Sequence, residues 1–114
     1  MTVKIVEKPW GRETWVAVTD TYAMKIIEIR GGARPSLQYH VQKHEHIYID
    51  SGRVRCELEQ PDGAMRVDEF GPGTVIEVMP GRKHRISALV DTRLIEVSTP
   101  HLDDVVRVED DYGR

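Results

Sequence analysis

Apolar and polar side chains alternate along this chain in short runs, and no window of useful length repeats at the 3.6-residue period of a helix. Val54–Glu59 sets Val, Cys and Leu against Arg, Glu and Glu. Across the Pro61-Asp62-Gly63 turn, Met65–Phe70 completes a predicted hairpin. Further strands are predicted over Glu13–Val18, Tyr22–Arg30, Pro35–His40, His46–Asp50, Thr74–Met79, His84–Leu89 and Arg93–Ser98. Gly31-Gly32, Ser51-Gly52, Gly71-Pro72-Gly73 and Pro80-Gly81 punctuate them, and Glu7–Gly11 reads as an opening turn. Strands this short, spaced by Gly/Pro turns, predict an all-β sandwich or barrel. The tail His101–Arg114 carries Leu102, Val105, Val106 and Val108, a pattern that fits a short helix or a strand equally.

Composition strengthens the β reading. Fourteen Val and nine Ile stand against fourteen Leu, Met and Ala together, and β-branched side chains pack well on a pleated surface. At 114 residues the expectation is a single domain spanning 1–114. A net charge of −3 argues against a general nucleic-acid binder. Cys56 is the lone cysteine, so no internal disulfide can form, which fits a reducing cytoplasm. No apolar run approaches the ~18 residues of a membrane span, so no membrane partner is expected.

Chemistry concentrates in one stretch. His40, His44 and His46 fall within seven residues with Glu45 among them, and His84 follows the Pro80-Gly81 turn. Residues two apart on a strand share a face, so Gln38 and His40 project together, as would Arg34 and Ser36 if the strand starts that early. A turn through Gln42–His44 returns Glu45 beside them, and a second strand carrying His84 closes a site of two imidazoles, one carboxylate and one amide oxygen. Such a mixed nitrogen and oxygen set suits one divalent ion of Zn, Mn, Fe, Co or Ni rather than a thiolate-loving centre. Read blandly, the same histidines are a polar surface cluster.

The spacing resembles the cupin family. Gln38-Tyr39-His40, four residues, Glu45, six residues and Gly52 follow the first cupin motif, with Gln38 where a histidine is usual. Gly73, five residues, Met79-Pro80-Gly81, two residues and His84 follow the second, with proline displaced by one position. Glu7-Lys8-Pro9-Trp10-Gly11, Ser36-Leu37-Gln38-Tyr39-His40, Ile95-Glu96-Val97 and the tail from Asp103 to Arg114 are similar to one subfamily. It is the cupin domain that ends type II phosphomannose isomerases, behind a GDP-mannose pyrophosphorylase domain; there Gln is the normal residue at position 38. The resemblance implies a cupin jelly-roll barrel and metal ligands at Gln38, His40, Glu45 and His84. It also places Arg34 on an arginine position and Lys43 where the subfamily has an arginine linked to isomerase activity. Lysine keeps that charge and loses the planar fork.

The function expected is metal-dependent sugar-phosphate isomerisation between mannose 6-phosphate and fructose 6-phosphate, with Lys43 as the catalytic and substrate-orienting group and Arg34 with Lys43 as substrate-binding cations. The competing readings are a non-catalytic module binding a sugar or nucleotide sugar, and another small-molecule cupin enzyme. A chain opening at Met1 with this length leaves no room for a nucleotidyltransferase domain, so guanylyltransferase activity is not expected. His44, His46 and Glu77 are the remaining proton-transfer candidates and read first as surface residues. Trp10 and Trp15 read as packing or dimer-contact aromatics, Cys56 as a small buried hydrophobe, Glu96 as a pocket acid, and the acidic tail as a solvated closing segment. A homodimer paired through edge strands is expected from the resemblance and from the exposed ladder of an unpaired edge.

Overall fold

The computed structural model describes residues 3–114. Its strands are β1 (Lys4–Lys8), β2 (Gly11–Val18), β3 (Ala23–Ile29), β4 (Leu37–Tyr39), β5 (Glu45–Ser51), β6 (Val54–Glu59), β7 (Met65–Phe70), β8 (Val75–Val78), β9 (His84–Ala88), β10 (Thr92–Ser98) and β11 (Val106–Glu109). One sheet runs β1-β2-β3-β10-β5-β8 and the other β11-β4-β9-β6-β7. All ladders are antiparallel. From β3 to β10 the chain changes sheet at every connection except the β6–β7 hairpin, which is the jelly-roll path. Among the described residues no helix is long and apolar enough to cross a membrane.

Period-two alternation decides what fills the interior. Ile27 and Ile29 of β3, Ile47 and Ile49 of β5, Ile76 and Val78 of β8 and Leu94 of β10 face inward from one sheet. Val54 and Cys56 of β6 and Ile86 and Ala88 of β9 meet them from the other, with Trp10 closing the cluster. Burial pushes the Cys56 thiol up to about 11, with Asp68 and Glu57 nearby adding to the effect, so it behaves as a small hydrophobe. The same inward rows turn polar at one end. Lys25 precedes Ile27, Glu45 precedes Ile47, His84 precedes Ile86, and Glu96 follows Leu94; all four are buried. Register aligns those ends, since Glu96 lies opposite Lys25 across β10–β3 and Ser98 opposite Glu45 across β10–β5. The barrel therefore has an apolar floor and a polar mouth.

Two differences from the pattern reading, and one alternative it left open, have physical reasons. Strand β1 occupies part of the expected opening turn, which narrows to Pro9-Trp10. It pairs only with β2 and is mostly exposed, so it leaves no inward apolar row to read. The tail resolves as strand β11, exposed throughout and paired with β4, where its charged side chains suit an edge. Strand β4 begins only at Leu37; residues 33–36 lie outside the ladders, so alternation cannot be extrapolated back to Arg34.

Gly52 turns β5 into β6 at φ +96°, and a Cβ there would lie 2.4 Å from Thr92 Oγ1 and 2.6 Å from the Asp91 carbonyl oxygen. Gly63 has a similar φ of +86° with open space around it. Gly52→Ala should therefore cost roughly 2 kcal/mol or more, and Gly63→Ala about 1. Urea denaturation of the two variants checks the order, and equal losses would remove the steric argument.

Candidate metal centre

His40 directly follows β4, and the turn after it delivers Glu45 as the first residue of β5. Asp104 fixes that turn from the tail. Its carboxylate accepts the backbone N–H groups of Val41 (2.9 Å), Gln42 (2.6 Å) and Lys43 (2.9 Å). Bonds from Gln42, Val41 and Lys43 hold the Asp104 carboxyl below the usual carboxylate range against the effect of desolvation. The Asp104 backbone carbonyl also accepts a hydrogen bond from His40 Nδ1. On β9, His84 Nδ1 donates to the Arg82 carbonyl at 2.9 Å. A carbonyl oxygen only accepts, so both rings donate from Nδ1 and turn Nε2 inward.

Both Nε2 atoms face one carboxylate. Glu45 Oε1 lies 3.3 Å from His84 Nε2 and 3.7 Å from His40 Nε2, and the ring centroids are 5.1 Å apart. All three residues are at most 4% exposed. Two imidazole nitrogens and a carboxylate oxygen crowd together in this way only with a proton or a cation between them, and buried His40 Nε2 has no hydrogen-bond partner. The donor set and its orphaned nitrogen fit a borderline divalent cation such as Zn²⁺, Mn²⁺, Fe²⁺, Co²⁺ or Ni²⁺. Gln38 pairs in register with His84 and lines the same cavity. Its side-chain oxygen accepts from the buried Ser36 hydroxyl at 2.7 Å and keeps a second lone pair.

Lys43 points inward rather than toward solvent. Its Nζ lies 2.8 Å from Glu45 Oε2 and 3.1 Å from Glu96 Oε2. Burial alone would lower the Lys43 pKa, but the two carboxylates, Glu96 before Glu45, raise it above the ordinary lysine value. For Glu45 burial acts upward, and His40, His84 and Lys43 together hold the acid well below the usual range. Glu96 is pushed up to about 7 by burial and by the charge of Glu45, with Lys43 opposing.

The cavity around these groups is ≈ 260 Å³. Lys25 also reaches its wall, with Nζ 3.2 Å from Glu13 Oε1; Trp15 Nε1 donates to the same oxygen at 2.9 Å. Lys25 was readable as the polar member of an inward row but does not stand out from strand composition. Lys8, Arg107 and Arg114 line the cavity too. Arg34 does not line it: its guanidinium is bound to the Asp111 carboxylate at 2.7 and 3.0 Å. His44, His46 and Glu77 stand on the outer face of the β5–β8 pair, and exposed Tyr48 shares that face. The role of Asp104 had no signal in local spacing, because its partners lie more than sixty residues away.

A jelly roll that directs two histidines and a glutamate into its barrel defines a cupin. Solved structures share the fold. Oxalate decarboxylase from Bacillus subtilis at pH 4.6 superposes with a TM-score of 0.81 at 21% identity, over 93% of this chain and 30% of that one. KdgF from Halomonas sp. does so with a TM-score of 0.72 at 22% identity, over 89% and 87%. Within the cupins the chain belongs to the family described as Mannose-6-phosphate isomerase C-terminal, whose model matches residues 2–110. It is 32% identical to the xanthan biosynthesis protein XanB of Xanthomonas campestris pv. campestris (strain B100) and to the mannose-1-phosphate guanylyltransferase ManC of Salmonella typhimurium. Each match takes in 96% of this chain, which spans 23% of the length of those relatives.

Two outcomes follow from this geometry. Asp104→Ala leaves the backbone N–H groups of Val41, Gln42 and Lys43 without their fixed acceptor, so it should lower stability by about 1–3 kcal/mol, measured by urea denaturation. Lys43→Met buries two uncompensated carboxylates and should cost about 3–5 kcal/mol in chelator-treated protein. Adding Glu96→Gln should recover part of that loss, and strictly additive losses would contradict the coupling.

Proposed function

We propose that this chain binds one divalent metal ion on Gln38, His40, Glu45 and His84 and interconverts an aldose phosphate with its ketose phosphate. Mannose 6-phosphate is the aldose that the family description names, and fructose 6-phosphate is its ketose counterpart. The observation that carries this reading is the buried Glu45 carboxylate facing two imidazole Nε2 atoms inside a cavity that also holds lysines and arginines. Manganese is the first ion to test, because Bacillus subtilis oxalate decarboxylase, which shares the fold, has Mn(II) centres.

When bound, the metal supplies a Lewis acid that polarises the sugar carbonyl and offsets charge on the enediolate oxygen. The chain's own groups do the rest. Lys43 is the catalytic group that the geometry supports, an ammonium held within the cavity that can donate to an oxygen gaining charge at C1 or C2. Glu96, 3.1 Å from Lys43 Nζ, is the carboxyl group available to take and return the proton. Phosphate is assigned to Lys8 and Arg107 in the cavity lining, since neither makes an ion pair among the described residues. Arg34 is assigned to the tail contact with Asp111 in place of the substrate.

One observation favours the second reading, a sugar or nucleotide-sugar binding module without turnover. Lys43 is already neutralised by two carboxylates, unlike a cation free to grip a phosphate. A coupled assay for fructose 6-phosphate formed from mannose 6-phosphate separates the two. The isomerase reading expects turnover with Mn²⁺-loaded protein, loss of turnover with EDTA, and a decrease of roughly 100-fold or more in Lys43→Met. Saturable binding of the sugar phosphate without turnover selects the binding module.

A further inference from the structure

A second constellation of ligating side chains lies on the reverse of the sheet, outside the barrel. Strand β5 alternates, so the residue that sends Glu45 inward sends His46 outward. His44, two positions earlier, reaches the same outer side. Across the β5–β8 ladder, Glu77 is the register partner of His46. His44 Nε2 lies 2.8 Å from Glu77 Oε2 and His46 Nε2 lies 3.4 Å from the same oxygen, with ring centroids 5.2 Å apart. The side chains are 35%, 46% and 50% exposed for His44, His46 and Glu77, so an ion can reach them without opening the fold.

The backbones that carry these donors are fixed before any ion arrives. His44 donates its N–H to Thr99 Oγ1 at 3.1 Å, and its carbonyl accepts the Thr99 N–H at 3.0 Å. His46 sits in the middle of the sheet, paired with Val97 on β10 and with Glu77 on β8. Two imidazoles at i and i+2, one held just before β5 by Thr99 and one on β5, with a carboxylate in register on β8, span a short distance from fixed backbone, which keeps the ordering cost of chelation small. Nitrogen donors with one carboxylate suit Zn²⁺, Cu²⁺ or Ni²⁺ over Mg²⁺ or Ca²⁺.

We propose that His44, His46 and Glu77 form a second metal site, specific for borderline divalent ions and separate from the inward one. The donors come from two strands, so an ion held there joins β5 to β8, which has no other neighbour in its sheet. It also sits on the reverse of the register pair Glu45 and Val78, one residue from the inward carboxylate.

Equilibrium dialysis of the full chain against Zn²⁺ tests this directly, because the comparison counts equivalents and does not depend on what the inward site holds. The double variant His44→Asn/His46→Asn should bind one Zn²⁺ fewer per chain than the unaltered protein. Glu77→Gln should keep that equivalent and weaken it by about tenfold or more, the scale on which even outer-shell changes act. All three positions are solvent-exposed or half-exposed, and circular dichroism confirms that each variant is folded. A double variant that is folded and binds the same number of Zn²⁺ ions with the same affinity overturns the proposal, as does a wild-type protein that shows no equivalent sensitive to these residues.

Discussion

Everything in the polar half of this barrel depends on the buried charge of Glu45. A carboxylate that is 2% exposed is tolerated only where cations or hydrogen-bond donors surround it. Lys43 supplies one positive charge at 2.8 Å, and the two histidines turn their Nε2 atoms toward the other oxygen. Two imidazole nitrogens and a carboxylate oxygen this close together need a proton or a cation among them. The arrangement has the make-up of a ligand set, two imidazole nitrogens and a carboxylate oxygen converging from three elements.

The rest of the fold serves to hold that arrangement. Four inward rows each run from a branched aliphatic to a charged or imidazole side chain, and antiparallel register brings the polar ends to one mouth. Apolar packing below, around Ile49, Leu94 and Val54, supplies the burial that stabilises the fold and keeps water from the floor of the site. Tail residues complete the upper wall. Asp104 acts as an anion held by three amide donors, and by doing so it sets the turn that separates His40 from Glu45.

Much of this was legible from the chain. Alternation alone sends Glu45 in and His46 out, places His84 at the head of an inward row, and identifies the hairpin around Pro61-Asp62-Gly63. Lys25 obeys the same alternation and was overlooked because a lysine in a strand usually faces water. What alternation could not give falls into two groups. Strands β1 and β11 are exposed edges with no buried row to leave a periodic trace. Asp104, and the pairing of Arg34 with Asp111, depend on contacts formed across more than sixty residues, where local pattern carries no information. Lys43 was read as a substrate-orienting cation; its two carboxylate partners, Glu45 and Glu96, come from different strands and left no local signal.

The central claim is that His40, Glu45 and His84 hold a metal ion, and metal content tests it most directly. Protein purified without chelator, loaded with Mn²⁺ and freed of unbound ion, is measured by elemental analysis beside Gln38→Ala and His84→Gln. The account predicts that His84→Gln holds one equivalent fewer than the unaltered chain and that Gln38→Ala holds its ion more weakly. Identical metal content and affinity in all three proteins would contradict it.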